Sequence, residues 1–386
     1  MFQRVFLQIF VLAICLAPLP LAADDAVIAK SSNLSAALPP AEWARVEGAV
    51  DRGLAWLASQ QEQDGRFPGE DSAQPATTAF GVMAFLSRGH TPDQGRYGAT
   101  ISRAIDFVLA TQSRRGYFSL LPVVPPGGHL SPTQTVHYNH SIAGLMLGEV
   151  YGMTSGERST RIEAALAKAL AYHRDVQSWQ KETESDIGGW RYGEPGSPKA
   201  SSDMSVTGWA LMFLRSARNA EFNIPKQYFD EGLDFVERCY EERVDLHDKG
   251  VFRYRPLASD PNGSPQITMA NTASAMLTLI LGGRIDHPGI ERGVVWFRTH
   301  PYPKPWQDGY FYLATYYSSQ AMAQVGGETW EQVFPQIARN LLDAQDETGA
   351  WPMGSGVEAK LGSGYTTSLA ILALTPAYQL LPIYQR

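Results

Sequence analysis

The chain has 386 residues, 44% of them hydrophobic, which is ample for a large buried core. Its formal net charge is -7, with 32 basic against 39 acidic side chains and no Lys/Arg-rich block, which argues against a nucleic-acid groove or an anionic membrane surface as its partner. Small or neutral ligands fit that balance better.

At the N-terminus Arg4 precedes the apolar run VFLQIFVLAICLAPLPLA, and Ala22 and Ala23 offer a processing site. Residues 1–23 therefore read as a signal peptide, and the chain is expected to be exported, periplasmic or secreted. Pro18 and Pro20 interrupt the apolar core and speak against a permanent transmembrane span. With Cys15 inside this segment, only Cys239 is left, so neither an internal disulfide nor a Cys-based zinc cluster is expected. Residues 24–40 are rich in Ala, Ser and Pro without helical period and read as a flexible linker. The folded unit is expected over residues 41–386.

From residue 41 onward two kinds of helix alternate. Charged amphipathic segments such as VEGAVDRGLAWLASQ and RIEAALAKALAYHRDV have one wet face, whereas TTAFGVMAFL, SVTGWALMFLRSA and TTSLAILAL carry few charges and many small residues, as buried helices do. Between them recur six Gly-aromatic markers, QEQDGRF, QSRRGYF, DIGGWRY, DKGVFRY, QDGYFY and QDETGAW, whose glycines are read as Gly65, Gly116, Gly189, Gly250, Gly309 and Gly349. Their spacing leaves room for about two helices per interval. The predicted fold is all-α: an (α/α)6 toroid, with an inner ring of buried helices inside an outer amphipathic ring.

QDETGAW with YTTSLAILAL, and QEQDGRF with TTAFGVMAFL, resemble the squalene cyclase and prenyltransferase repeat, and the likeness runs from Ala41 to the C-terminus. The resemblance implies the toroid of terpenoid cyclases and protein prenyltransferases, and in particular their exported single-domain bacterial relatives. DMSVTGWAL, from Asp203 to Leu211, is similar to the segment that follows the cyclase acid motif Asp-x-Asp-Asp. In that register Asp203 matches the last Asp, but Ser202 and Ala200 hold the middle and first positions, so the resemblance implies a missing proton donor. The Asp-x-Cys pair of the prenyltransferase zinc site is absent at Asp203. No metal or other cofactor is expected.

Candidate site residues follow from position and chemistry. Asp203 reads both as the N-cap of an apolar helix and as a site carboxylate. His137 and His140, three apart at a helix start, could exchange protons near it, or simply be structural. Tyr138, Tyr192, Trp209, Tyr254, Tyr312 and Tyr316 are the candidate ligand-binding aromatics; Tyr312 and Tyr316 share a helical face and Tyr317 points elsewhere. Arg253 and Arg255 alternate with Tyr254 and could place cations at a rim. The expected function is binding or processing of an apolar, isoprenoid-like ligand in a central cavity. The alternatives are a lyase or hydrolase acting on an oligosaccharide or polysaccharide, or a non-catalytic scaffold; oligomeric state stays open.

Overall fold

A computed structural model describes residues 27–28, 33–122, 132–193, 200–260, 265–303, 310–352 and 356–385; the signal-peptide segment and Gly309 lie outside them. The described helices run in pairs: α1 (Pro40–Ser59) and α2 (Ala76–Ser87), α3 (Gly98–Ala110) and α4 (Pro132–Tyr151), α5 (Gly156–Gln177) and α6 (Met204–Asn219). They continue with α7 (Lys226–Arg238) and α8 (Met269–Leu281), α9 (Pro288–Thr299) and α10 (Phe311–Val325), and α11 (Gly327–Ala344), which reaches α13 (Ser363–Leu374) through the single turn α12 (Glu358–Leu361). No strand occurs among the described residues.

The second members form a closed ring, each packing on the next in the order α2, α4, α6, α8, α10, α13 and back to α2. They are nearly all buried, while the first members keep a wet face. Small residues let the inner helices approach: a Cβ on Gly148 of α4 would stand 2.4 Å from the Ser216 hydroxyl of α6. This is the expected (α/α)6 toroid.

The markers are the joints. Gln61, Gln112, Gln177 and Gln345 each close an outer helix, and each side-chain amide donates twice. One bond goes to the carbonyl of the marker glycine and one to a carbonyl of the next outer helix: Thr100, Ala165, Tyr228 and Ala49 in turn. The last of these carries α11 back to α1 and closes the outer ring. In the third marker the glycine so used is Gly188, not Gly189. Gly188 has φ +87°, and a Cβ there would lie 2.0 Å from the Glu231 carbonyl of α7. Gly189 instead packs against Ser202 and Phe235.

A second bond ties the first, third, fourth and sixth markers to the following inner helix. Thr78, Thr207, Thr272 and Thr367 accept from the backbone N–H of Phe67, Trp190, Val251 and Trp351. The marker tryptophans then bury their rings and donate Nε1–H to the preceding outer helix, Trp190 to the His173 carbonyl and Trp351 to that of Leu341.

The packed body begins earlier than Ala41, which corrects the expected linker boundary. Leu34–Ala37 form a 3-10 turn with Leu34 buried, and its carbonyls take the indole protons of α1 and α11, Ser35 from Trp43 and Leu34 from Trp330. Both indoles stack on Phe334, so apolar rings and two hydrogen bonds outweigh the entropy of an Ala/Ser/Pro stretch.

At this same end of the ring, where the inner helices finish and the joints lie opposite, the C-terminal residues 376–385 cross underneath. The Ile383 N–H donates to Glu149 Oε2 at 3.0 Å, Gln324 donates to the Tyr384 carbonyl and Asn219 to that of Pro382. Glu149 is buried, and burial pushes its carboxyl from 4.5 up to about 7. Ser216 Oγ lies 2.6 Å from its Oε1 and 3.1 Å from the Leu145 carbonyl, and a hydroxyl has one proton to give. A protonated Glu149 satisfies all three groups: it donates to Ser216, which donates to Leu145.

Two outcomes follow. Gly188→Ala is expected to lower stability by about 3 kcal/mol through steric overlap and a positive φ, while Gly152→Ala, with open space around it, stays within about 0.5 kcal/mol; urea midpoints measure both. Because the folded value of Glu149 lies above its ordinary one, its contribution is full below about 4.5 and lost as pH rises through about 7. Glu149→Gln should flatten that window of the stability–pH curve, removing about 3 kcal/mol of pH dependence.

Candidate functional site

The opposite end of the ring, where the inner helices begin, gathers the polar residues that the joints leave over. Asp203 stands at the N-terminus of α6, held by backbone bonds from its own N–H to the Trp190 carbonyl and from the Met204 N–H to the Tyr254 carbonyl. It is fully buried. Oδ1 accepts from the Val206 N–H at 2.9 Å and from the Ser205 hydroxyl at 2.7 Å, so it caps the helix. Oδ2 makes no well-formed hydrogen bond; Arg191 Nε is 3.7 Å away.

Burial raises the pKa of Asp203, and Arg191, the Val206 amide, Ser205 and Tyr254 partly offset that. Ser205 spends its one proton on Asp203, so the Tyr138 hydroxyl, 2.6 Å from Ser205 Oγ, must be the donor of that bond. Tyr138, Ser205 and Asp203 thus form a directional chain from α4 to α6. The Arg191 guanidinium lies over the rings of Tyr192 at 4.5 Å and Tyr254 at 5.4 Å, which places both tyrosines beside the carboxylate. Burial, and then the charge of Asp203, hold the Tyr254 hydroxyl far above its ordinary pKa, so it stays protonated and able to donate.

Beneath this cluster the axis is occupied by side chains. Phe80 of α2, Trp209 of α6 and Tyr316 of α10 come from alternate inner helices and meet at ring-centroid distances of 5.2, 6.5 and 5.5 Å. Tyr317 and Tyr365 extend the packing, at 5.0 Å from Trp209 and 5.8 Å from Phe80. At this level the centre of the toroid is an aromatic plug rather than an open channel.

The structure therefore brings together Asp203, Tyr138, Tyr192 and Tyr254, and sets Trp209 and Tyr316 below them. Other expectations are corrected. Tyr312 stands apart: its ring packs on Phe311 at 5.2 Å, and the carboxylates whose charge adds to the burial lifting its pKa are Glu358 and Asp346, not Asp203. Tyr316 turns to Tyr384 at 2.5 Å, and Tyr317, expected to point away, joins the plug. Arg253 is buried against Glu241 at 2.6 Å instead of standing at a rim.

His137 and His140 do not act on Asp203. They sit in an aromatic cluster between α4 and α5. The Arg191 carbonyl can only accept, so it fixes the proton of His137 on Nδ1, and Nε2 receives the Tyr172 hydroxyl at 2.9 Å. Burial draws His137 down to about 4 and His140 well below its ordinary value, so both are neutral where a proton shuttle would be needed. Sequence reasoning passed over His173, stacked on Trp190 at 4.7 Å and also fully buried, and over Arg191, the cation of the site. Arg191 was visible as the residue after the marker Trp190; the ion pair with Asp203 was not. No group of three metal-ligating side chains occurs among the described residues.

No family model matches the chain, and no curated protein does. Solved structures do. The type II terpene cyclase MstE from Scytonema superposes with a TM-score of 0.53 at 15% identity, over 88% of this chain and 99% of its own. The α-1,6-mannanase of Salegentibacter sp. gives 0.58 at 10% identity, over 87% and 99%, and the α-mannanase of Bacteroides thetaiotaomicron 0.54 at 11%, over 86% and 96%.

Asp203 generates a stability test. Asparagine caps as aspartate does, so Asp203→Asn should leave the melting temperature almost unchanged, whereas Asp203→Ala should cost about 1 kcal/mol, both read by thermal unfolding. At those identities the likeness carries architecture, and the chain has the α/α toroid fold shared by type II terpene cyclases and α-mannanases.

Proposed function

We propose that the inner-helix N-terminal end binds a saccharide, or a similarly hydroxyl-rich ligand, with Asp203 as its proton-exchanging group. What carries this reading is the set Asp203, Arg191, Ser205, Tyr138 and Tyr254 directly above a filled axis. A long isoprenoid chain asks for a deep apolar channel, and Phe80, Trp209 and Tyr316 occupy that level. A sugar asks for hydroxyl partners, a charged anchor and a ring face, all of which lie at the mouth.

Two-carboxylate hydrolysis is not supported by this set. Asp186 is bound to the Ser202 amide and Thr183, and Glu358 to the amides of Tyr312 and Leu313, which leaves Asp203 as the site's carboxylate among the described residues. Ligand binding, with single-acid chemistry at most, is the function this geometry supports. An isoprenoid ligand is the second reading, favoured by the ring faces of Trp209 and Tyr365. Export through residues 1–23 belongs to the same proposal and agrees with a glycan as ligand.

Calorimetry against an oligosaccharide panel, with mass spectrometry of co-purifying small molecules, tests the reading. Asp203→Asn and Tyr254→Phe should each weaken saccharide binding by about tenfold or more while the fold melts normally. A bound isoprenoid lipid together with no saccharide affinity would overturn it in favour of the second reading.

A further inference from the structure

The third joint differs from its relatives. From the stitching Gln to the glycine whose carbonyl accepts its bond is four residues at Gln61, Gln112 and Gln345, but eleven at Gln177. Gln177 still makes both bonds, to Gly188 and Tyr228, so the extra residues, within 178–187, are not needed for the joint. They help build a cavity of about 90 Å³ beside the mouth, lined among others by Trp179, Lys181, Glu182, Arg191, Tyr192 and Ser201.

Its lining carries two cations, Lys181 and Arg191, against one carboxylate, Glu182. Lys181 is largely buried and donates to the Gly189 carbonyl at 2.7 Å, leaving two of its three protons without a bond among the described residues. Arg191 gives Nη2 to the Tyr192 hydroxyl, while its buried Nη1 has no partner there. The nearby carboxylates are already engaged: Asp186 by Ser202 and Thr183, Glu182 by Arg255 at 3.3 Å, and Asp203 by Ser205 and Val206, with Arg191 Nε 3.7 Å from its other oxygen. His137, behind Arg191, is neutral, and Lys181 helps to keep it so. Burial pulls Lys181 down to about 8 against the pull of Asp186. Lys181 offers unbonded protons, and Arg191 a second positive charge, to whatever fills the void; water can take the protons, but an anion also meets the charge.

We propose that this cavity is an oxyanion subsite, in which Lys181 Nζ and the Arg191 guanidinium hold a carboxylate or sulfate group of the ligand, so that the saccharide taken by the mouth is an acidic one. The identity of the ligand rests on the reading above; the anion site itself rests on the cavity.

Sodium sulfate, which does not titrate between pH 6 and 9, and glucuronate with glucose as its neutral control are the probes. Intrinsic tryptophan fluorescence, to which Trp179 contributes, and the melting temperature are read at constant ionic strength. Saturable sulfate binding is expected in the full chain, weakened about tenfold or more in Lys181→Met and within about threefold of wild type in Lys181→Arg. Affinity should also fall as pH rises past about 8, a wild-type measurement that holds even if Lys181→Met fails to fold. An unsaturable sulfate response, or unchanged affinity in a folded Lys181→Met, overturns the subsite. Equal binding of acidic and neutral saccharides overturns it while sparing the mouth, whereas sulfate binding without any saccharide binding sinks the mouth reading and keeps the anion site.

Discussion

Everything in this toroid depends on a turn that is bonded in three directions at once. A glutamine at the end of one outer helix ties the turn to itself and to the next outer helix, and a threonine on the following inner helix takes the turn's backbone amide. These are neutral hydrogen bonds, each worth about 1 kcal/mol net, but leaving any of them unmade inside the ring would cost more than making it gains. The outer ring thus has a built-in register, and the inner helices are placed by the outer ones rather than by their own amphipathicity. That is why helices such as α13, apolar on every side, still find one orientation.

With the frame fixed by its joints, the two ends of the ring are chemically unequal. Where inner helices finish, the C-terminal segment lies across them and Glu149, Ser216 and Ile383 seal the contact. Where they begin, unpaired helix amides and the positive ends of helix dipoles favour acidic side chains, and Asp203 serves this need with one oxygen while the other faces Arg191. The site is what remains of the open end once the plug has filled the axis.

Much of the frame was legible in the sequence because it repeats: Gln, Gly, aromatic and Thr recur with enough regularity to announce six pairs and a closed ring. Two adjacent glycines hid which one makes the turn, since only Gly188 meets the Glu231 carbonyl. The cap at Asp203 could be read from local order, and Tyr192 belongs to the same stretch, whereas Tyr138 and Tyr254 come from other parts of the chain and nothing local placed them beside it. The histidines misled because spacing along a helix reports a shared face but not what faces it, and here it is the rings of Tyr172, Trp179 and Phe213. Tyr312 and Tyr317 were misplaced for a related reason: on a helix buried all round, periodicity no longer tells inside from outside. The early start of the packed body depends on two indole protons contributed from distant parts of the chain, which no local pattern can display.

That last contact has a kinetic side. Trp330 meets Leu34, and Gln345 meets Ala49, each across 296 residues of chain. A ring joined only at such a distance is closed only when its final pair is in place, and a chain without that closure would leave two raw ends, α1 on one side and α11 with α13 on the other, that are apolar and complementary. Two such chains held together long enough could satisfy each other's ends instead of their own. The sealing turn at Leu34–Ala37, laid over the seam by the indoles of α1 and α11, favours the intramolecular choice.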